Sequence, residues 1–511
     1  MSYPPTARPQ SAPSSGQGAP SHESLPLCFP ASETMQHMGN RPSGYDPFIH
    51  ILDDDSLLII FNFYRPILIN EDENDDQRIL QGGNWARERW WYRLAQVCQR
   101  WRHLILASAS YLDLCLVCTH GTPVADMLAQ SSPLPLIIDY LDEDPVTADD
   151  EEGVVLALQH RNRVRRIRIQ MPGLDWPRLA LAIDGEFPML EYLYLGLLSE
   201  YLILPETFQT PQLRHVVTMG IGFPTPLLSR HVSLVTLSLQ NMHPSAYLSP
   251  EDLLPRLSLM PHLETLLLSP YPPYLPWGFF SGTDRQLQLL PTQITPTVTL
   301  PNLRWFGFGG LSSYLEALLF QINAPLLEKV QILFLTPLRF RFSCLLQFMS
   351  AAENLRFGSA KFRFYDKAVD AWVYPRKGAK MYSFYMQFSR FFLSEQVLST
   401  AEFFGALGTV FSAVEHLDLE SECHVVSLRY PTLWRDLLGS FGGAKSLVVG
   451  HRLAGEISRS FRLDEGESAT EFLPKLKEIS YPATGGEADD AFIAFADARR
   501  IAGCPVTLSR L

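Results

Sequence analysis

Apolar residues recur along this chain with two different periods, and the change from one to the other divides it. Between Ile51 and Leu104 the spacing is helical. In ILDDDSLLIIFNFY, residues Leu57, Ile60, Phe61 and Tyr64 fall at i, i+3, i+4 and i+7. Asp53 to Ser56 supply N-cap oxygens and negative charge where a helix's free N–H groups point. In LAQVCQRWRHL the spacing repeats through Leu94, Val97, Cys98, Trp101 and Leu104 or Ile105, with Gln96, Gln99, Arg100 and Arg102 opposite, which predicts a second amphipathic helix. Neither helix can bury its stripe alone, so the two are expected to form a unit.

Farther on, the period shortens to that of a strand. One phrase recurs, an apolar residue followed at +3 and +5 by two more: VRRIRI from Val164, LEYLYL from Leu190, LVTLSL from Leu234, LETLLL from Leu263, LRWFGF from Leu303, LEKVQI from Leu327, VEHLDL from Val414, AKSLVV from Ala444 and LKEISY from Leu476. LRHVVT from Leu213 and LRFGSA from Leu355 are weaker copies. The +3 and +5 residues lie two apart on a strand and share a face. One strand per unit hides that face only by stacking on its neighbours, so the phrase predicts a solenoid with a curved parallel sheet. The clean gaps of 23, 21 and 24 residues (Leu190 to Leu213 to Leu234, Leu303 to Leu327) match leucine-rich repeats. Longer gaps imply insertions at 270–299 and 360–405. Segments between phrases, such as WRDLLGSF (Trp434 to Phe441), are expected as helical return arms, and the C-terminal unit as a helix, a stop at Gly503 and a last strand.

Composition adds limits. At 511 residues with 46% hydrophobic content, the chain can build a large core. Residues 1–44, dominated by Pro, Ser, Gly, Gln and Ala, read as a disordered arm. An acidic insert from Glu71 to Gln77 and an aromatic segment with Trp85, Trp90 and Trp91 separate the two helical stripes, and the acidic run Asp139 to Glu152 reads as an exposed loop or hinge. A net charge of -12 gives no general attraction to nucleic acid or an anionic membrane. Seven cysteines spread over the chain, with no apolar leader or long apolar run, are expected of a protein of the cytoplasm and/or nucleus.

Candidate chemistry is thin. Cys115-x-x-Cys118 with His120 nearby is half a zinc signature without its second half, so buried structural cysteines are expected and no metal or cofactor. The pair Cys423-His424, with His416, is weaker still. Gly307-Phe308-Gly309-Gly310 and Gly439-Ser440-Phe441-Gly442-Gly443 lack phosphate-loop or nucleophile-elbow spacing and read as turn glycines. No catalytic residue is assigned and no enzyme expected. Arg161, Arg163, Arg165, Arg166 and Arg168 form the one dense basic cluster; the plain reading is a solvated strand balanced by the acidic run, the sharper one a contact of Arg166 and Arg168 with an acidic or phosphorylated substrate.

The helical pair resembles an F-box, carried by Asp53-Asp54-Asp55 with Leu57-Leu58-Ile59-Ile60-Phe61, and by Val97-Cys98-Gln99-Arg100-Trp101. With the repeats, the chain looks like the F-box proteins with degenerate leucine-rich repeats of mushroom-forming fungi. That resemblance implies an α/β protein with F-box helices at 45–110, an insert near 65–90, a connecting segment at 111–160 and a leucine-rich-repeat-like solenoid at 161–511. It implies docking on a Skp-type adaptor, and through it a cullin, by Leu52, Leu57, Leu58, Ile60, Phe61, Val97, Cys98, Trp101 and Leu104, while the repeats hold a target protein. The alternative is a repeat scaffold that no longer serves ubiquitin ligation.

Overall fold

The computed structural model of the protein describes residues 52–65, 88–130, 134–141, 147–171, 175–197, 202–222, 228, 233–242, 248–269, 298–334, 342–389, 392–423, 431–463, 466–482 and 487–511. The expected arm at 1–44, the acidic insert at 71–77, most of the insertion at 270–299 and His424 lie outside them.

The architecture is α/β. Among the described residues, three helices come first: α1 (Asp54–Phe63), α2 (Trp90–Ala95) and α3 (Gln99–Ala107). Strands and helices then alternate as β1 (Leu116–Cys118), α4 (Val124–Gln130), β2 (Leu136–Leu141), α5 (Ala148–Gln159), β3 (Val164–Gln170), α6 (Trp176–Ile183) and β4 (Tyr192–Gly196). Next are β5 (Leu202–Ile203), β6 (His215–Met219), β7 (Ile221–Gly222), β8 (Thr236–Gln240), α7 (Pro250–Leu257), β9 (Thr265–Leu268), β10 (Val298–Thr299), β11 (Trp305–Gly310), α8 (Ser312–Leu319), β12 (Ile322–Asn323), β13 (Lys329–Phe334) and α9 (Ser343–Ser350). The last third holds β14 (Ser359–Phe364), β15 (Ala368–Tyr374), β16 (Phe384–Ser389), α10 (Leu393–Ala406), α11 (Gly408–Phe411), β17 (His416–Ser421), α12 (Pro431–Gly439), β18 (Ser446–Val449), α13 (Ala454–Ser460), β19 (Glu478–Tyr481), α14 (Glu487–Ile501) and β20 (Thr507–Arg510).

Sixteen strands form one sheet, in the order β1, β2, β3, β4, β6, β8, β9, β11, β13, β16, β15, β14, β17, β18, β19, β20. All neighbours are parallel except at β15, which runs against both β14 and β16. The repeated phrase explains this order. Its +3 residues align across adjacent strands as Leu193, Val216, Leu237, Leu266, Phe306 and Val330, and its +5 residues as Leu195, Thr218, Leu239, Leu268, Phe308 and Ile332. Every one is buried, and all but Thr218 join the helices' inward side chains in one core. Each buried apolar side chain contributes about 1.5–3 kcal/mol, so a slip of register by one residue, which would turn a whole row outward, is strongly disfavoured.

Three expectations are corrected. The sheet begins at β1 and β2, within the segment expected to be a connection, because Ile138 and Tyr140 already follow the alternating pattern. The insertion at 360–405 joins the sheet as three strands and a helix, and it folds back so that β16, not β14, lies beside β13. Its alternating Ala360, Phe362, Phe364, then Val369, Ala371, Val373, then Phe384, Met386, Phe388 are buried. The acidic run, finally, is structured at both described ends. Asp139 lies in β2, while Thr147 caps α5, its hydroxyl accepting from the N–H of Asp150, and Asp149, Asp150 and Glu151 occupy the first turn, where the helix dipole favours them. At the other end of the chain the expected helix and strand are present as α14 and β20, with Gly503 at φ +78° just past the helix.

Candidate functional site

The N-terminal helices sit against the first edge of the sheet. Asp53 caps α1, its carboxylate accepting from the N–H of Ser56 at 2.7 Å. Arg100 ties α3 to the start of α1 through the Asp54 carboxylate and the Leu52 carbonyl, both at 2.7 Å. Phe61 meets Trp101 edge to face, with ring centroids 4.8 Å apart. The expected second helix is broken in two. Cys98 is extended and its sulfur accepts from the N–H of Trp101 at 3.5 Å, so it caps α3 and ends the phase that ran through Leu94.

An edge strand exposes unpaired N–H and C=O groups, and side chains of the aromatic segment take up those of β1. Trp91 donates its indole N–H to the carbonyl of Cys115 at 3.2 Å, and Arg89 donates to the carbonyl of Val117 at 3.0 Å. The N–H of Val117 in turn donates to the Tyr92 hydroxyl, whose pKa is pushed up to about 12 by burial. This segment is thus a cap on the sheet.

That packing divides the nine expected docking residues. Leu57, Phe61 and Trp101 turn inward and are buried in the main core, which corrects their assignment to an outer face. Leu52, Leu58, Cys98 and Leu104 are half-buried against that core, Ile60 is half-buried, and Val97, in the break between α2 and α3, is 57% exposed. Two residues the spacing passed over are outside, Ile59 at 53% and Phe63 at 83% exposure, and so is Tyr64 at 64%, which the spacing placed on the buried stripe. Their signal was present, since α1 is apolar on more than the one face its stripe needs.

Arg166 and Arg168 lie on the sheet face opposite the main core, and both have carboxylate partners. Arg168 holds Asp139 with two parallel bonds of 2.6 Å, and each side chain is less than a tenth exposed. Arg166 reaches Glu88 at 3.4 Å. Arg165, at a bulge in β3, bridges Asp113 at 2.7 Å and Glu191 at 3.0 Å. Burial would raise the Asp113 pKa, but Arg165 and Arg65 outweigh it and hold the carboxyl below its ordinary value. Of the acidic run, Asp139 balances one arginine of the cluster, and it does so buried rather than on a solvated strand, while Arg165 and Arg166 take acids from outside the run.

Along this second face, neighbours at the β1 end form a small apolar cluster of Cys115, Val117, Ile137, Tyr192, Tyr194 and Val217. Farther along, the buried Lys329 ammonium sits 4.2 Å from the Trp305 ring and 4.3 Å from the Tyr382 ring. Beyond that, Lys361 and Arg363 on β14 pair with Glu420 on β17 at 2.8 and 2.9 Å. Burial is the largest influence on Glu420 and would raise its pKa; the bonds to Lys361 and Arg363 lower it instead.

The remaining motifs find plain places. Cys115 and Cys118 are buried on opposite faces of the first strand, as an odd spacing on extended backbone requires, and burial pushes their thiols up to about 11 and about 12. His120 lies 3.5 Å from Asp150, and His416 pairs with the Ser446 hydroxyl at 2.7 Å. Gly307, Gly309 and Gly310 are not turn residues but lie inside β11, where a Cβ on Gly307 would stand 2.2 Å from a methyl of Leu267. Among the described residues, no group of three or more His, Cys, Asp or Glu could hold a metal ion, and no helix is long and apolar enough to cross a membrane. Neither a scan against protein-family models nor a search of the curated proteins finds a match to this chain.

Proposed function

We propose that this chain is a non-catalytic substrate receptor of a Skp/cullin/F-box ubiquitin ligase: α1 to α3 dock on the Skp-type adaptor, and the repeat sheet, read as a degenerate leucine-rich-repeat solenoid, holds a target protein. The observation that carries this reading is the apolar surface left on the helical unit after its own packing is satisfied. Ile59 and Phe63 stand one turn apart on α1, and both are more than half exposed, as is Val97. A helix that has buried Leu57 and Phe61 and still shows Ile59 and Phe63 to solvent has the form of an anchor for an apolar groove. The chain's contribution to ubiquitin transfer would be proximity, raising the effective concentration of a target lysine near the charged enzyme.

The helical unit's second job, capping β1, favours the rival reading of a scaffold in which these helices only close the sheet. Co-purification of the full chain with the adaptor separates the two. Phe63→Asp and Val97→Asp, both at exposed positions, are expected to abolish adaptor capture while leaving thermal unfolding within about 0.5 kcal/mol of wild type, as surface changes usually do. Capture by the double variant at wild-type levels, or no capture by the wild type, would assign the helices to capping alone.

A further inference from the structure

The dense arginine cluster splits in two. Arg165, Arg166 and Arg168 pair with carboxylates, as does Arg178 on α6 with Glu151 and Glu152. Arg161 and Arg163, in the turn between α5 and β3, have no carboxylate within 4 Å among the described residues. Both line a single cavity of about 440 Å³, together with Gln159, His160, Asn162 and Glu186.

Each of the two guanidinium groups is held by the backbone and left without a counter-ion. Arg163 donates its Nε–H to the Leu134 carbonyl at 3.0 Å, while its Nη2 is buried and bonds to nothing. Arg161 donates to the Ala182 carbonyl at 3.5 Å and lies 5.9 Å from the Phe187 ring centroid. Its Nη1 occupies the space of a missing side chain, 2.2 Å from where a Cβ on Gly185 would be, and Gly185 has φ +130°. Glycine there leaves room for the guanidinium.

We propose that this cavity is a binding site for a phosphate group, with Arg161 and Arg163 as its two cationic walls and His160, Gln159 and Asn162 as further donors. The argument is one of charge and shape. Charges withdrawn from water are usually paired, and two half-buried guanidinium groups that share one cavity, with no carboxylate within 4 Å among the described residues and Glu186 farther off on its lining, leave a place for an anion. Burial lowers the basicity of Arg163, and burial together with Arg163 lowers that of His160. Two opposing charges act here, the carbonyl end of α5, equivalent to about half an elementary charge, and Glu186. Two full positive charges exceed them. Donors on several sides suit the three free oxygens of a phosphate monoester better than the planar pair of a carboxylate. The volume is many times the ~30 Å³ of a water, enough for a phosphate and the group that carries it.

The test is titration of the full chain with inorganic phosphate and with O-phosphoserine, against sodium chloride of matched ionic strength, followed by calorimetry and thermal shift. Wild type is expected to bind both and to melt higher with them than with chloride. Arg161→Gln and Arg163→Gln are each expected to weaken binding about tenfold or more, the equivalent of losing one charge-assisted bond. Their melting without ligand, measured alongside, shows that they fold. The ratio of the two affinities reports whether the carrier of the phosphate is also held. A wild type that responds to phosphate no more than to chloride overturns the proposal, and so do folded variants that bind as the wild type does.

Discussion

The pairing of Arg168 with Asp139 sets a sharp energetic expectation. The two side chains face each other in register across β2 and β3, joined by two 2.6 Å bonds and each less than a tenth exposed. Removing one partner strands a charge in that setting, which typically costs about 3–5 kcal/mol. A domain of ordinary stability has only about 5–15 kcal/mol in total, so Asp139→Leu alone removes a large share. Arg168→Met should cost as much or more, since Arg168 makes further interactions. The double variant places apolar groups beside Ile137, Tyr192 and Tyr194, and a buried pair replaced as a unit is close to neutral, so it should lie within about 1 kcal/mol of wild type. Urea unfolding at 25 °C, read by tryptophan fluorescence, measures the cycle. Single variants that each cost under about 1 kcal/mol, with a double variant equal to their sum, would refute the argument. Arg168 would then be loosely held, and its fork would again be open to an outside acid.

Arg499 should be as sensitive, for a different reason. Only 1% exposed, it donates to the carbonyls of Ala469, Pro474, Leu476 and Cys504, so Arg499→Met is expected to cost at least about 3 kcal/mol and to speed amide exchange across 487–511, with Arg499→Lys recovering less than half. Gly443→Ala brings a Cβ to 2.2 Å from the Ser412 carbonyl and should destabilise by about 1–3 kcal/mol in thermal melts. Gly442→Ala, with nothing within 4 Å, should be neutral. Burial raises the pKa of Asp370 above its ordinary 3.8, although Gln387 and Tyr385 donate to it. The folded chain therefore holds that proton more tightly than the unfolded one, and stability is lost as pH rises from 3.8 through the raised value. Asp370→Asn, whose amide oxygen can accept both bonds, should melt higher than wild type at pH 7, with the gain shrinking toward pH 3.5.

The parts of the fold that were legible from sequence are those where one face of an element decides its energy. The rows through Leu193 and Leu195 could be found because each strand buries the same two positions of a fixed phrase. The fold-back at β14 to β16 was missed because it keeps the alternation of Phe362 and Phe364 or Met386 and Phe388 but drops the phrase, and alternation alone does not say which strand comes next in the sheet. The acidic run was misread for a related reason. Thr147 and the acids after it are a helix start as much as a loop, and only the apolar Val154, Ala157 and Leu158 that follow decide between them.

The docking face shows the limit most clearly. From sequence, Leu57, Phe61 and Trp101 are the strongest apolar positions of the helical pair, and so the natural anchors for a partner. The same strength makes them the residues the chain uses for itself, because an intramolecular contact needs no partner concentration and, beside the Arg100 tie to Asp54 and Leu52, they supply the apolar seam between α1 and α3. What stays exposed is the second rank, Ile59 and Phe63 on α1 and Val97 in the break before Cys98. The arginine cluster divides by the same logic. Arg165, Arg166 and Arg168 took internal acids, while Arg161 and Arg163, displaced into the turn before β3, were left without one. In both regions, the residues left exposed or without an internal acid are those the fold did not consume, and spacing along the chain ranks them below those it did.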